Sequence, residues 1–184
     1  PLLATAGIFV LLFVIAGLLY DGFFSPRVAV NLFTDNAVLG IVAVGMTLVI
    51  FTGGIDLSVG AVVGFTSILV ATLIQKGYSP AVAAGFALGL GASMGAFMGW
   101  LIHAFKLPAF LITLAGMFFA RGMAFWVSTE SIGITHPTYG ALSAFSLGGG
   151  GFALPTTALV LIGVLAGGYV LAHHTRLGRN LLAV

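Results

Sequence analysis

The sequence predicts an all-α protein, a polytopic transmembrane helical bundle of about six spans, each needing about 20 predominantly apolar residues. Three observations predict it. The 184-residue chain is 60% hydrophobic and 5% charged, with a mean hydropathy of +1.23, whereas soluble domains carry about 25% charged residues. Its apolar residues fall in long runs divided by short polar turns. It has no cysteine, which excludes a disulfide framework and any thiolate metal site. A soluble fold of this length could not hide so much apolar surface, so lipid is the solvent for much of the chain.

Leu2 to Tyr20 is a continuous apolar run of nineteen residues, enough for one crossing at 1.5 Å per residue. It is too long for a signal peptide core and lacks a basic leader and a small-residue cleavage site. Asp21 to Asn36 gathers Asp21, Pro26, Arg27, Asn31 and Asp35, a loop with room for a short interfacial helix. Spans are then expected over 37–54 and 57–75, meeting at Thr52-Gly53-Gly54-Ile55-Asp56-Leu57-Ser58-Val59-Gly60. Each apolar piece is slightly short by itself. Extending both into this stretch lets two antiparallel helices meet at a tight glycine turn, because glycine takes positive φ and Asp or Ser caps the next helix.

Gln75 to Pro80 forms the next turn, with Pro80 suited to the first position of a helix. The fourth span, 81–104, is rich in small residues, among them Gly85, Gly89, Gly95 and Gly99. Such spacing lets membrane helices approach closely and marks an interior helix. Pro108 opens the fifth span, 108–128, which carries Arg121 towards its far end. Thr129 to Leu154 is polar and turn-rich, the longest loop, and 155–172 crosses again. The whole of 1–184 is one membrane domain. Because the chain opens at Pro1 and stops at Val184 just after a helix exit, a fragment of a longer protein is expected.

Alternating spans place Lys106, Arg176 and Arg179 on one side, and Arg27 and Lys76 on the other with Asp21, Asp35 and Glu130. Positive charge marks the cytoplasmic side. The N-terminus and the Arg176–Arg179 exit are therefore expected in the cytoplasm, with 129–154 facing outward. A net charge of +2 gives no reason to expect nucleic acid, and four scattered histidines offer no metal constellation.

Asp56 is the residue that most needs a reason, since a carboxylate near the bilayer centre costs about 2.5–3.5 kcal/mol by insertion scales. One reading is a helix cap, with Asp56 or Ser58 accepting from the first free amides of the third span. The other is a broken segment lining a polar cavity. Both can hold together. Thr52, Ser58, Thr66, Ser67 and Thr113 are the hydroxyls placed to hydrogen-bond a polar cargo, and Phe110 stands beside Thr113 just inside Pro108. Gly53, Gly54, Gly60 and Pro108 serve the backbone. Arg121, the second intramembrane charge, can snorkel outward or pair with Glu130 or an outer partner; pairing with Asp56 requires Asp56 to sit well above the inner interface. The run Gly148 to Gly151 lacks the Lys-Ser/Thr ending of a phosphate loop. No nucleophile, base and orienting group can be assembled, so catalysis within this chain is not expected.

Gly53-Gly54-Ile55-Asp56-Leu57-Ser58-Val59-Gly60, preceded by Gly45-Met46-Thr47-Leu48-Val49-Ile50, resembles the signature of bacterial ABC-transporter permeases for monosaccharides of the ribose, xylose and galactose type. Leu107-Pro108-Ala109-Phe110-Leu111-Ile112-Thr113-Leu114-Ala115-Gly116-Met117 with Arg121-Gly122 looks like the second hallmark, and Thr175-Arg176-Leu177-Gly178 like the third. Thr34-Asp35-Asn36-Ala37 and Ile134-Thr135-His136-Pro137 most resemble a permease subunit of galactofuranose importers.

The resemblance implies the N-terminal part of a permease of roughly ten spans, each spanning the ~30 Å hydrocarbon core. It implies residence in the bacterial inner membrane and pairing with a second permease subunit. It further implies a periplasmic sugar-binding protein and a cytoplasmic ABC ATPase; ATP and magnesium would bind in that ATPase, with no cofactor in this chain. Monosaccharide import, of galactofuranose or a related sugar such as ribose, is the expected function. An ion-coupled secondary transporter, with Asp56 in a broken-helix site, is the alternative that the residues alone allow.

Overall fold

The computed structural model describes residues 2–149 and 152–182. Pro1, Gly150, Gly151 and Val184, on which sequence expectations rested, lie outside the described residues.

The chain is helical almost throughout. Helix α1 spans Leu2–Leu19, α2 Pro26–Asp35, α3 Ala37–Phe51, α4 Val59–Gln75, α5 Pro80–Phe105 and α6 Ala109–Val127. After α7 (Pro137–Ala144) come strands β1 (Ser146–Gly149) and β2 (Phe152–Pro155), then α8 (Thr156–His174) and α9 (Arg176–Leu182). By length and apolar composition α5, α6 and α8 suffice to cross a membrane. Helices α2 and α3 pass that test together but meet at a 55° bend, and α1 and α4 are shorter apolar helices.

Helix boundaries follow local chemistry. Ser25 and Ser79 each accept from a backbone amide three residues on, at 3.4 Å, with Pro26 and Pro80 at the first helical position, where the missing N–H costs nothing. Lys106 ends α5 in the left-handed region, at φ 54°, before Pro108 opens α6. Residues 129–149 and 152–155 are more ordered than a long polar loop. Here His136 caps α7 by accepting from the Thr138 amide at 3.2 Å, β1 and β2 pair antiparallel with Ser146 opposite Pro155, and Thr156 Oγ1 donates to the Leu142 carbonyl at 2.6 Å.

Packing divides the helices into two sets. Helix α4 packs on α5 and α6, whereas α3 packs on α8. Gly40 meets Leu161 and Val44 meets Gly168, so α3 and α8 run in the same direction. Where α5 packs against α6, the side chain of Met98 fills the space that Gly116 leaves open. The residues buried most completely are small, such as Ala83, Ala120 and Ala158, as expected where close backbone approach supplies the packing energy. Phe9, Leu88 and Trp126 point outward, the reverse of a water-soluble core. The end of α1 is tied by a cluster of Phe13, Phe23 and Phe24, with ring centroids 5.2–5.5 Å apart.

Two sequence expectations are corrected here. Helices α3 and α4 do not meet at a tight glycine turn: Thr52 to Ser58 separates them, and each packs on other helices. Nor is α5 an interior helix within this chain. A Cβ added at Gly85 or Gly89 would meet nothing within 4 Å, so that part of its small-residue face is open, while Gly91 meets Val62 and Gly95 and Gly99 line the Asp56 cavity.

Candidate functional site

The site is built on the link between α3 and α4. Helix α3 stops at Phe51, short of the expected 54, because Gly53 turns the chain at φ 70°. Gly54 to Ser58 is then non-helical, and α4 begins at Val59. Along this stretch exposure alternates. Ile55 and Leu57 are 55% and 37% exposed, while Asp56 is half-buried and Ser58 is 1% exposed. Ser58 already has helical dihedrals, φ −80° and ψ −20°, so the non-helical link has turned into α4 by that residue. The apolar side chains point out and the polar ones in.

Asp56 folds back on this segment. Its Oδ1 accepts from the Ser58 amide at 2.8 Å and from the Ser58 hydroxyl at 2.6 Å. This turn resembles a cap but sits just ahead of the helix: Ser58 occupies the N-cap position, makes no side-chain cap bond and donates to Asp56 instead. Asp56 also lines a cavity of about 500 Å³ with Thr52, Gly53, Gly54, Ile102 and Thr113.

Helix α6 supplies the opposite wall. Thr113, 5% exposed, donates through Oγ1 towards the Ile55 carbonyl at 3.1 Å, while lying 2.9 Å from the Ala109 carbonyl of its own helix. Non-helical backbone at membrane depth needs such partners, since each unsatisfied group costs several kcal/mol. Further along, Gly60, Gly64 and Ile68 of α4 share a second cavity with Arg121 and Phe125 of α6 and with Glu130. The link and α4 therefore ascend α6 in the same direction.

Of the predicted residues, Thr52, Asp56, Ser58 and Thr113 come together with Gly53 and Gly54. Phe110 is one turn from Thr113 but does not line that cavity. Pro108 opens α6, its carbonyl accepting from the Leu111 amide at 3.1 Å. Gly60 belongs to the second cavity. Thr66 and Ser67 donate to carbonyls of their own helix, at 2.8 and 2.7 Å. Arg121 lines a different cavity from Asp56 and the same one as Glu130. The non-helical link itself was missed by the glycine-turn reading. The signal was present, because Ile55-Asp56-Leu57-Ser58 alternates apolar and polar, which favours strand over helix. Among the described residues no group of His, Asp and Glu is arranged to hold a metal.

Residues 28–184 match the family model described as branched-chain amino acid transport system / permease component. The chain is 50% identical over 187 residues to the inner membrane ABC transporter permease protein YjfF of Escherichia coli K12, covering 100% of this chain and 56% of that protein. It is 35% identical over 200 residues to the fructose import permease protein FruG of Bifidobacterium longum, covering 100% and 56%. To the ribose import permease protein RbsC of Escherichia coli K12 it is 34% identical over 175 residues, covering 94% and 54%. The chain thus spans about half the length of the curated relatives it matches. No solved structure matches it. The apolar helices, the non-helical link between α3 and α4 and these matches agree with the permease resemblance carried by the motifs: the chain belongs to the branched-chain amino acid transport system / permease component family.

Proposed function

We propose that this chain forms part of the translocation pathway of an ATP-driven importer for a monosaccharide, galactofuranose or a related sugar such as ribose. The observation that carries the reading is the non-helical Gly54–Ser58 link set among apolar helices, in which Asp56 and Ser58 bond to each other while Ile55 and Leu57 are exposed. Interrupted helices of this kind place polar backbone and side chains where a polar cargo crosses a membrane. Relatives named as fructose and ribose import permeases support a sugar as that cargo.

In this reading Thr52, Asp56, Ser58, Phe110 and Thr113 line the route, and about six spans of ~20 residues each cross the inner membrane. The two bent helices α2 and α3 make one crossing; the non-helical link with α4 makes another. The N-terminus and the Arg176–Arg179 exit face the cytoplasm, following the positive-inside rule. The parallel sense of α3 with α8 fits that alternation. A second permease subunit, lipid, a periplasmic sugar-binding protein and a cytoplasmic ABC ATPase complete the assembly, and ATP is hydrolysed in the last of these.

The test is uptake of labelled ribose and galactose by vesicles holding the complete transporter, with and without ATP. ATP-dependent accumulation that falls in Asp56→Ala at normal expression supports the reading. Uptake driven by an ion gradient without ATP refutes it, and wild-type uptake by the variant removes Asp56 from the route.

A further inference from the structure

The Arg121 cavity lies apart from the route just described. It has a volume of about 560 Å³, inside the range of roughly 300–1,000 Å³ typical of small-molecule sites. Gly60 and Gly64 form one wall, and a Cβ added at either would meet nothing within 4 Å. Their lack of side chains leaves the space open. Arg121 stands on α6, and the chain leaving α6 brings Ser128, Thr129 and Glu130 to the same cavity. The Ser128 hydroxyl accepts from the Glu130 amide at 3.1 Å and donates to the Glu130 carbonyl at 3.0 Å, so this corner is fixed by its own hydrogen bonds.

A guanidinium offers five donors in a rigid fork, and a carboxylate only accepts. Their formal charges cancel, so neither an anion nor a cation is favoured. Vicinal hydroxyls, which donate and accept at once, satisfy such a pair. Phe125 at the same cavity gives the C–H face of a sugar ring an apolar surface. A guanidinium and a carboxylate in one lining also complement the carboxylate and ammonium of an amino acid; the import reading selects the sugar, and L-leucine is the competing probe in the test.

We propose that the cavity between α4 and α6 at Arg121 and Glu130 is a second monosaccharide-binding station, separate from the Asp56 cavity. It rests on the import reading above, and in the orientation given there it is the outward station. The sugar meets Arg121 and Glu130 first and passes along α6 towards Thr113 and Asp56.

The 184 residues contain no cysteine, so within them an introduced thiol is unique, and the same assembly without it gives the background labelling to subtract. Ser131→Cys at the cavity and Thr138→Cys on α7 are placed in the complete permease, assembled in vesicles with its second subunit, its ATPase and its sugar-binding protein. Alkylation by a membrane-impermeant maleimide is timed with D-ribose, D-galactose or L-leucine present. A sugar at ten times its dissociation constant slows alkylation of the cavity thiol about tenfold by mass action, leaves Thr138→Cys unchanged, and loses this protection when Arg121→Gln or Glu130→Gln is added. Equal alkylation with and without sugar, in vesicles that still accumulate that sugar with ATP, overturns the station while leaving the import reading intact. Protection by leucine alone also overturns it. Vesicles that accumulate no sugar overturn the import reading and the station with it.

Discussion

Thr113 Oγ1 lies 3.1 Å from the carbonyl oxygen of Ile55, across 58 positions of sequence. This bond joins α6 to the non-helical link between α3 and α4. It also fixes the height of Asp56 along α6. Replacing Thr113 by Val removes the donor while keeping the shape, at a cost of about 0.6 kcal/mol, the average for such bonds in membranes, and no more than about 1.7 kcal/mol. Thermal unfolding of the purified permease should show a lowered transition for Thr113→Val and a smaller change for Thr113→Ser. Equal transitions for Thr113→Val and wild type would remove the bond from the account.

Glycines on the two sides of the same link should respond with opposite sign. Gly53 holds φ 70° with nothing within 4 Å of an added Cβ, so Gly53→Ala loses about 1–2 kcal/mol through backbone conformation alone. Gly60 lies in the first turn of α4, also with nothing within 4 Å, and there Ala is favoured over Gly by up to about 1 kcal/mol. Urea or thermal titration of the two variants checks the contrast, which vanishes if the turn conformation is not the constraint.

Substitution can separate the hydrogen-bonding role of Asp56 from the transport role proposed for it above. Asp56→Asn keeps an oxygen for the Ser58 amide and hydroxyl, now bonded at 2.8 and 2.6 Å, whereas Asp56→Ala leaves both donors without that partner, costing about 1–3 kcal/mol if they stay buried. The expected result is near-normal stability with reduced sugar uptake for Asp56→Asn, and loss of both for Asp56→Ala. Full uptake by Asp56→Asn would restrict the residue to its turn.

The α3–α8 seam should be sensitive to volume. A Cβ at Gly40 would lie 2.6 Å from Leu161 Cδ1, and Leu161 is buried. Gly40→Ala is expected to cost about 1–3 kcal/mol by overpacking. Adding Leu161→Val should recover part of it, so the double variant loses less than the two single changes together. Strict additivity would show that the two residues do not share the space.

How much of this was legible in the chain depends on range. The apolar runs gave helix positions, and Pro26, Pro80 and Pro108 gave their starts, because proline and serine act on the backbone next to them. Gly53 and Asp56 identified the break, since a carboxylate among apolar residues requires a local hydrogen-bonding solution. The alternation at 55–58 was present too, but the nearby glycines pointed equally well to a compact turn.

The sequence by itself therefore determined a membrane bundle, its helical segments and the residues of the break, all set by hydropathy and by neighbours within one turn. Only the tertiary structure decided that α3 joins α8 while α4 joins α5 and α6, that Thr113 answers Ile55, and that Arg121 shares a cavity with Glu130 and not with Asp56. In lipid, apolar faces are nearly equivalent to one another, so hydrophobicity does not choose partners. Close contact at small residues and a few hydrogen bonds do, and these arise only when distant segments meet.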